Sequence, residues 1–154
     1  MIPKFRAWHK TWEEMGKVKR IRFDDDGNAT TVLFIGKDLG VNAKIDEFDL
    51  MQSTGLKDKN GKEIFERDIL KFNDEWDDYC YEGYVDGSTE GINFVEIKRE
   101  TTCFTFGKFQ TSDSSLLYFM KDEYLSFEDL ITDKDFEFEI VGNIYENPEL
   151  LEDN

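Results

Sequence analysis

Lys4-Phe5-Arg6-Ala7-Trp8 alternates polar and apolar positions, the period of a half-buried strand. His9 to Glu14 reads as a solvated, charged turn. Val18 to Phe23 alternates again, with Val18, Arg20 and Arg22 on one side and Lys19, Ile21 and Phe23 on the other, which predicts an N-terminal hairpin. Asp24-Asp25-Asp26-Gly27-Asn28 is a turn, and Thr30 to Ile35 is β-branched and apolar, as a third strand is. Gly36 to Asp49 carries no regular pattern. Gly55 to Lys62 predicts a loop, with Asn60-Gly61 suited to a tight turn at positive φ. Asp68 to Phe72 reads as a strand, and Tyr84 to Gly87 with Gly91 to Ile97 as a hairpin. Cys103 to Gln110 alternates with Phe104 and Phe106 on one face.

Ser114 to Met120 fits either a strand or a buried helical turn. Ser126-Phe127-Glu128-Asp129 resembles a helix N-cap with acid in the first turn. Phe136 to Val141 gives the cleanest alternation in the chain. Asn147-Pro148-Glu149 reads as a helix start.

Composition strengthens the β reading. The 154 residues include 14 Phe, 6 Tyr and 3 Trp, bulky residues that favour strands, while alanine occurs only at Ala7, Ala29 and Ala43. The expected fold is mainly β with short helices near the C-terminus. A chain of this length buries enough surface to fold without disulfide or metal. Cys80 and Cys103 lack metal-ligand spacing and are expected reduced. The N-terminus has no apolar run after its charges, and Leu116 to Met120 is far too short to cross a bilayer, so a cytoplasmic protein with no membrane partner is expected.

Charge changes the picture most. The net charge is −16, but residues 1–22 carry +5 and residues 23–154 carry −21. The acidic body is not expected to bind nucleic acid directly, since it would repel phosphate. It can instead meet a basic partner. Asn73 to Gly91 contains seven acids and no basic residue, interleaved with Trp76, Tyr79, Tyr81 and Tyr84. Asp74, Glu75, Trp76, Asp77, Asp78, Tyr79, Tyr81 and Glu82 are the candidate partner-binding residues, as aromatic anchors with acidic steering. The same pattern arises if the aromatics face a core and the acids face water. The basic arm, Lys4, Arg6, Lys10, Lys17, Lys19, Arg20 and Arg22, suits docking on the acidic body of another copy, hence a homo-oligomer.

No catalytic constellation emerges. His9 is the sole histidine available as a general base. Measured from Gly55, the second glycine of a P-loop falls on Asn60, and Gly61-Lys62 is followed by Glu63 rather than Ser or Thr. A calcium loop centred on Gly61 has Leu56 at its first ligand position and Arg67 in place of the bidentate Glu. Paired carboxylates could hydrolyse glycosides, but among 35 acids close pairs are expected by chance. No cofactor, metal or catalytic residue is assigned.

Three stretches resemble the YopX-like family of small phage and prophage proteins: Ile2 to Trp8, Leu50-Met51-Gln52-Ser53-Thr54-Gly55-Leu56-Lys57-Asp58-Lys59-Asn60-Gly61-Lys62-Glu63-Ile64-Phe65-Glu66-Arg67-Asp68-Ile69, and Ile140-Val141-Gly142-Asn143-Ile144-Tyr145-Glu146-Asn147-Pro148-Glu149-Leu150-Leu151. Arg67 stands where that family usually has Gly, and His9 where an Asp is common. The resemblance implies an N-terminal β element or arm over residues 1–49 and an SH3-like β-barrel with a C-terminal helical tail over residues 50–154. It also implies a bacterial host cytoplasm and homo-oligomerisation, and carries no reaction. The expected function is a non-enzymatic phage or prophage accessory protein that binds a host or phage protein. One alternative is an acidic nucleic-acid mimic directed at a host DNA-binding or defence protein. A carboxylate-based hydrolase ranks last.

Overall fold

A computed structural model describes residues 3–153. The chain is mainly β: ten strands in two antiparallel sheets, with two short α-helices among the described residues. It divides into two compact units between Ser53 and Thr54; the sequence reading divides it between residues 49 and 50. One strand, β5 (Phe48–Lys57), runs through the division.

In unit 1 the order is β4-β3-β2-β1-β5, with β1 Phe5–His9, β2 Glu14–Phe23, β3 Ala29–Ile35 and β4 Gly40–Lys44. The alternation expected in β1 sets its faces, but the one expected in β2 does not hold. A register shift at Lys19 puts Val18 opposite Phe34 and Ile21 opposite Val32, so these two share the inner face instead of lying on opposite sides. Ala7, Val32, Phe34 and Phe48 are buried together, with Val18 and Leu50 packed against them. The Asp24 carboxylate closes the β2–β3 turn by accepting from the Asp26 and Asn28 backbone N–H groups at 3.0 and 2.9 Å.

Two more expectations for unit 1 are corrected. Gly36 to Asp49 is not irregular, for it holds β4, a 3₁₀ turn at Ile45–Glu47 and the start of β5. His9 is not solvated but 3% exposed. As the last residue of β1 it follows Ala7 onto the inner face. Its ring stacks on Trp12 at 4.1 Å and meets Phe48 edge-on at 5.0 Å, and its Nδ1 accepts from the Trp12 backbone N–H at 3.1 Å.

In unit 2, the end of β5 pairs with β6 (Glu63–Phe65). A four-stranded sheet follows in the order β10-β7-β8-β9, with β7 Asp68–Tyr79, β8 Val85–Arg99, β9 Phe104–Phe109 and β10 Glu139–Asn143. Helices α1 (Leu116–Met120) and α2 (Phe127–Ile131) contribute Leu116, Leu130 and Ile131 to its core. Aromatic rings dominate that core: Phe72 lies 5.1 Å from Phe138, and Phe106 lies 5.5 Å from Phe138 and 5.1 Å from Phe127.

Local chemistry explains the connections of unit 2. Gly55 to Lys57, expected in a loop, instead end β5, and Asp58 is buried in the turn that follows, Asp58 to Lys62. Its Oδ1 accepts from the Asn60 and Lys62 N–H groups, both at 2.9 Å, and its Oδ2 from the Ile140 N–H at 3.0 Å, which ties the turn to β10. Gly61 has φ 82°, as a tight turn requires. Ser126 caps α2 in a capping box with Asp129. The ambiguous Ser114 to Met120 run resolves as the helical turn.

Two further expectations are corrected. Tyr84–Gly87 and Gly91–Ile97 are not the arms of a hairpin. Val85–Gly87 and Gly91–Ile97 both lie in the single strand β8, whose hairpin partner is β7, and Tyr84 belongs to the turn between β7 and β8. The alternation at Phe136 to Val141 is not one strand: Phe136 and Phe138 are buried, but Glu137 turns at φ 48° and β10 starts only at Glu139.

Candidate partner-binding hairpin

The acidic, aromatic segment is the distal half of the β7–β8 hairpin. Its register runs through Asp74↔Gly91, Glu75↔Glu90, Trp76↔Thr89 and Asp77↔Ser88 to Tyr79↔Val85, with an irregularity between Asp77 and Tyr79. Side chains alternate between faces, so Asp74, Trp76 and Asp78 continue the core-side face begun by Phe72. The tip closes through Cys80 N–H to the Tyr84 carbonyl and Gly83 N–H to the Cys80 carbonyl, both at 2.9 Å.

The base of the distal half is anchored by a buried network. The Asp74 Oδ1 accepts from the Ser115 hydroxyl at 2.7 Å and from the Ser115 and Glu75 N–H groups at 3.0 and 2.8 Å. Its Oδ2 accepts from Asn93 Nδ2 at 2.9 Å. Asn93 in turn exchanges hydrogen bonds with the Thr111 backbone at 2.9 and 3.0 Å. These bonds hold residues 111–121 against the hairpin. Above them the Trp76 ring lies over Gly91, where a Cβ would collide with it. The Trp76 indole Nε1 is closed to solvent and donates to no partner among the described residues.

The outer face and tip are solvated. Glu75 and Glu90 stand directly opposite, a like-charge pair that destabilises a ladder. Asp77, Glu82 and Asp86 are exposed, and Asp78 accepts from the Thr89 hydroxyl at 2.8 and 3.0 Å. Tyr79, Tyr81 and Tyr84 are 63%, 107% and 71% exposed. The tyrosines therefore do not face a core, and of the four aromatics only Trp76 is half-buried.

A cleft of about 330 Å³ lies between β7 and the 112–121 segment, with Glu75, Trp76, Asp77 and Tyr79 on one side and Asp113, Tyr118 and Lys121 on the other. Of the candidate residues, Glu75, Trp76, Asp77 and Tyr79 meet at this cleft. Tyr81 and Glu82 form the tip, Asp78 binds Thr89, and Asp74 is a buried anchor rather than a contact surface. Sequence reading missed Asp113, Tyr118 and Lys121. Tyr118 is an exposed ring inside an apolar run, with Lys121 Nζ 5.9 Å from its centroid, and no local pattern joins it to β7 across some 40 residues.

Among the described residues, no group of three or more His, Cys, Asp or Glu side chains is placed to hold a metal ion. Cys80 and Cys103 are free thiols. No helix of the described residues is long and apolar enough to cross a membrane.

The crystal structure of protein EF1440 from Enterococcus faecalis is similar, with 30% sequence identity, a TM-score of 0.60 and 99% of each chain covered. No curated protein matches the sequence. The family model described as YopX protein matches residues 4–152, nearly the whole chain. The chain belongs to the YopX protein family.

Proposed function

We propose that this chain is a non-enzymatic protein-binding module, encoded by a phage or prophage and working in the bacterial host cytoplasm, whose β7–β8 hairpin captures a basic protein. The observation that carries this reading is the hairpin's surface. It exposes three tyrosines and sets Glu75 against Glu90 with no cation between them. Burying three exposed rings brings no advantage to the isolated chain, but in a complex such rings serve as anchors. A basic partner would relieve the Glu75–Glu90 repulsion and be steered by the surrounding carboxylates. In this reading the four-stranded antiparallel sheet of unit 2, with its phenylalanine core, is the scaffold and is taken as an SH3-type barrel. The basic strand β2 makes a second copy of the chain one such partner, so self-association belongs to the same reading.

Capture from host lysate tests the proposal. The wild-type chain is compared with a variant carrying Glu75→Gln, Asp77→Asn, Glu82→Gln and Glu90→Gln. The expected result is a basic protein retained at about 0.1 M salt, where charges are screened beyond roughly 10 Å, and lost with the variant. Identical capture by both chains would sink the idea. Release of the captured protein by duplex DNA would favour the nucleic-acid mimic.

A further inference from the structure

The β7 strand has an edge that its sheet does not use. Strand β10 covers β7 only from Asp68 to Lys71, and the last backbone bond on that side is Asn73 N–H to the Phe136 carbonyl at 2.8 Å. In an antiparallel ladder the backbone groups of alternate residues point to alternate edges. Lys71 and Asn73 point to the β10 side, so Glu75 and Asp77 do too. Nothing pairs with that edge from Asp77 to Tyr79 among the described residues, and the Glu75 N–H is held only by the neighbouring Asp74 carboxylate. Glu75, Asp77 and Tyr79, with Trp76 between them, line the 330 Å³ cleft. That volume falls at the low end of ligand pockets.

We infer that this edge is a strand-addition site, at which a short extended basic segment of the partner pairs with Glu75–Tyr79 and lays a cationic side chain in the cleft. The inference rests on the proposed capture of a basic protein and names how it occurs. An unpaired edge offers main-chain bonds, and alternate pockets along it offer selectivity. The cleft's charge selects the side chain, since Glu75, Asp77 and Asp113 outnumber Lys121. Trp76 and Tyr118 supply rings to which a cation is attracted. Lys121, already 5.9 Å from the Tyr118 ring centre, is an internal example of that contact. The acids also keep the edge from pairing with neutral strands, a common guard on exposed edges.

The test titrates the full chain with an acetylated Val-Arg-Val-Arg-Val amide, following the Asp77 amide and the Trp76 indole by NMR. Two further peptides are N-methylated, one at every valine and one at every arginine. Strand addition uses one edge of the peptide, so one methylated form should bind about tenfold more weakly and the other should keep its affinity, as expected for the loss of one or two hydrogen bonds. Both signals should shift with the form that binds. Equal binding by the two methylated forms, or no binding of the parent peptide, overturns strand addition. Either result leaves capture by the acidic hairpin standing if lysate capture still depends on its carboxylates. Capture that ignores those carboxylates overturns the hairpin reading instead.

Discussion

Arg67 sits at φ 72°, in the left-handed region that side chains with a Cβ rarely adopt. Its N–H donates to the Ile97 carbonyl at 2.7 Å and its carbonyl accepts from the Ile144 N–H at 3.0 Å, so both neighbours hold the backbone there. This is why glycine suits the position, and why arginine is a departure with a conformational cost. Its guanidinium offsets part of that cost through Glu96 at 3.2 Å. Arg67→Gly should therefore change stability by less than about 1 kcal/mol, while Arg67→Val should cost about 1–3 kcal/mol, both read from urea unfolding. His9 was legible in principle: extending the Phe5, Ala7 alternation by one step puts it inside, but its charged neighbours suggested solvent. His9→Ala should cost about 2–4 kcal/mol, through the cavity beside Phe34 and Phe48 and an unpaired Trp12 N–H; a cost below about 0.5 kcal/mol would refute this. Glu139 titrates below its ordinary 4.5, first because Lys71 donates a hydrogen bond to its carboxylate, with the charges of Lys71 and Lys59 adding to the effect. The unfolded chain then takes up the proton first. Glu139 contributes its stability fully above pH 4.5 and loses it as pH falls through the lower folded value. Glu139→Gln should flatten that part of the acid-unfolding profile and leave the rest unchanged.

At the scale of elements, the short signals were readable because their causes are local. Asp24 closes its own turn, Ser126 caps its own helix, and Gly61 turns where Asn60-Gly61 predicts. The long hairpin was not readable for the opposite reason. Gly87 and Gly91 look like punctuation, yet they lie inside a 15-residue strand. Gly91 is there for space: the Trp76 ring occupies the place of its missing Cβ, a contact between chain positions 15 apart. Glu137 shows the converse, a turn hidden inside perfect alternation, because burial of Phe136 and Phe138 does not require strand dihedrals between them. Gly91→Ala should push Trp76 off the sheet at a cost of about 1–3 kcal/mol. The Trp76 indole resonance should move, and β7–β8 amide protection should fall beyond Asn93 but not below it. An unchanged indole resonance would show that the ring does not depend on that gap.

At the scale of the whole molecule, the charge divides as the structure does. Unit 1 carries nine basic and nine acidic side chains, and unit 2 carries ten and 26, so the entire net charge of −16 resides in unit 2. Neutrality in unit 1 is not uniform. Lys17, Lys19, Arg20 and Arg22 are exposed along β2, and none joins an ion pair among the described residues. Glu75, Asp77, Glu82, Asp86 and Glu90 on the hairpin likewise join no ion pair among the described residues. Two unpaired surfaces of opposite sign on one chain favour association between copies, each giving its strand β2 to the other's hairpin. Exposed pairs of this kind are weak singly and screened by salt. Light scattering should therefore find an oligomer at low ionic strength that dissociates toward about 0.5 M salt. The four-carboxylate hairpin variant should be monomeric throughout, and so should a variant with Lys17, Lys19, Arg20 and Arg22 changed to Gln. The two variants mixed together should recover part of the association, since the first keeps β2 and the second keeps the hairpin, which restores one of the two pairings per dimer. A wild-type monomer at both low and moderate salt would remove self-association while leaving the hairpin free for a foreign partner. An oligomer that ignores salt would require an apolar interface, which the charges on β2 and the hairpin do not supply.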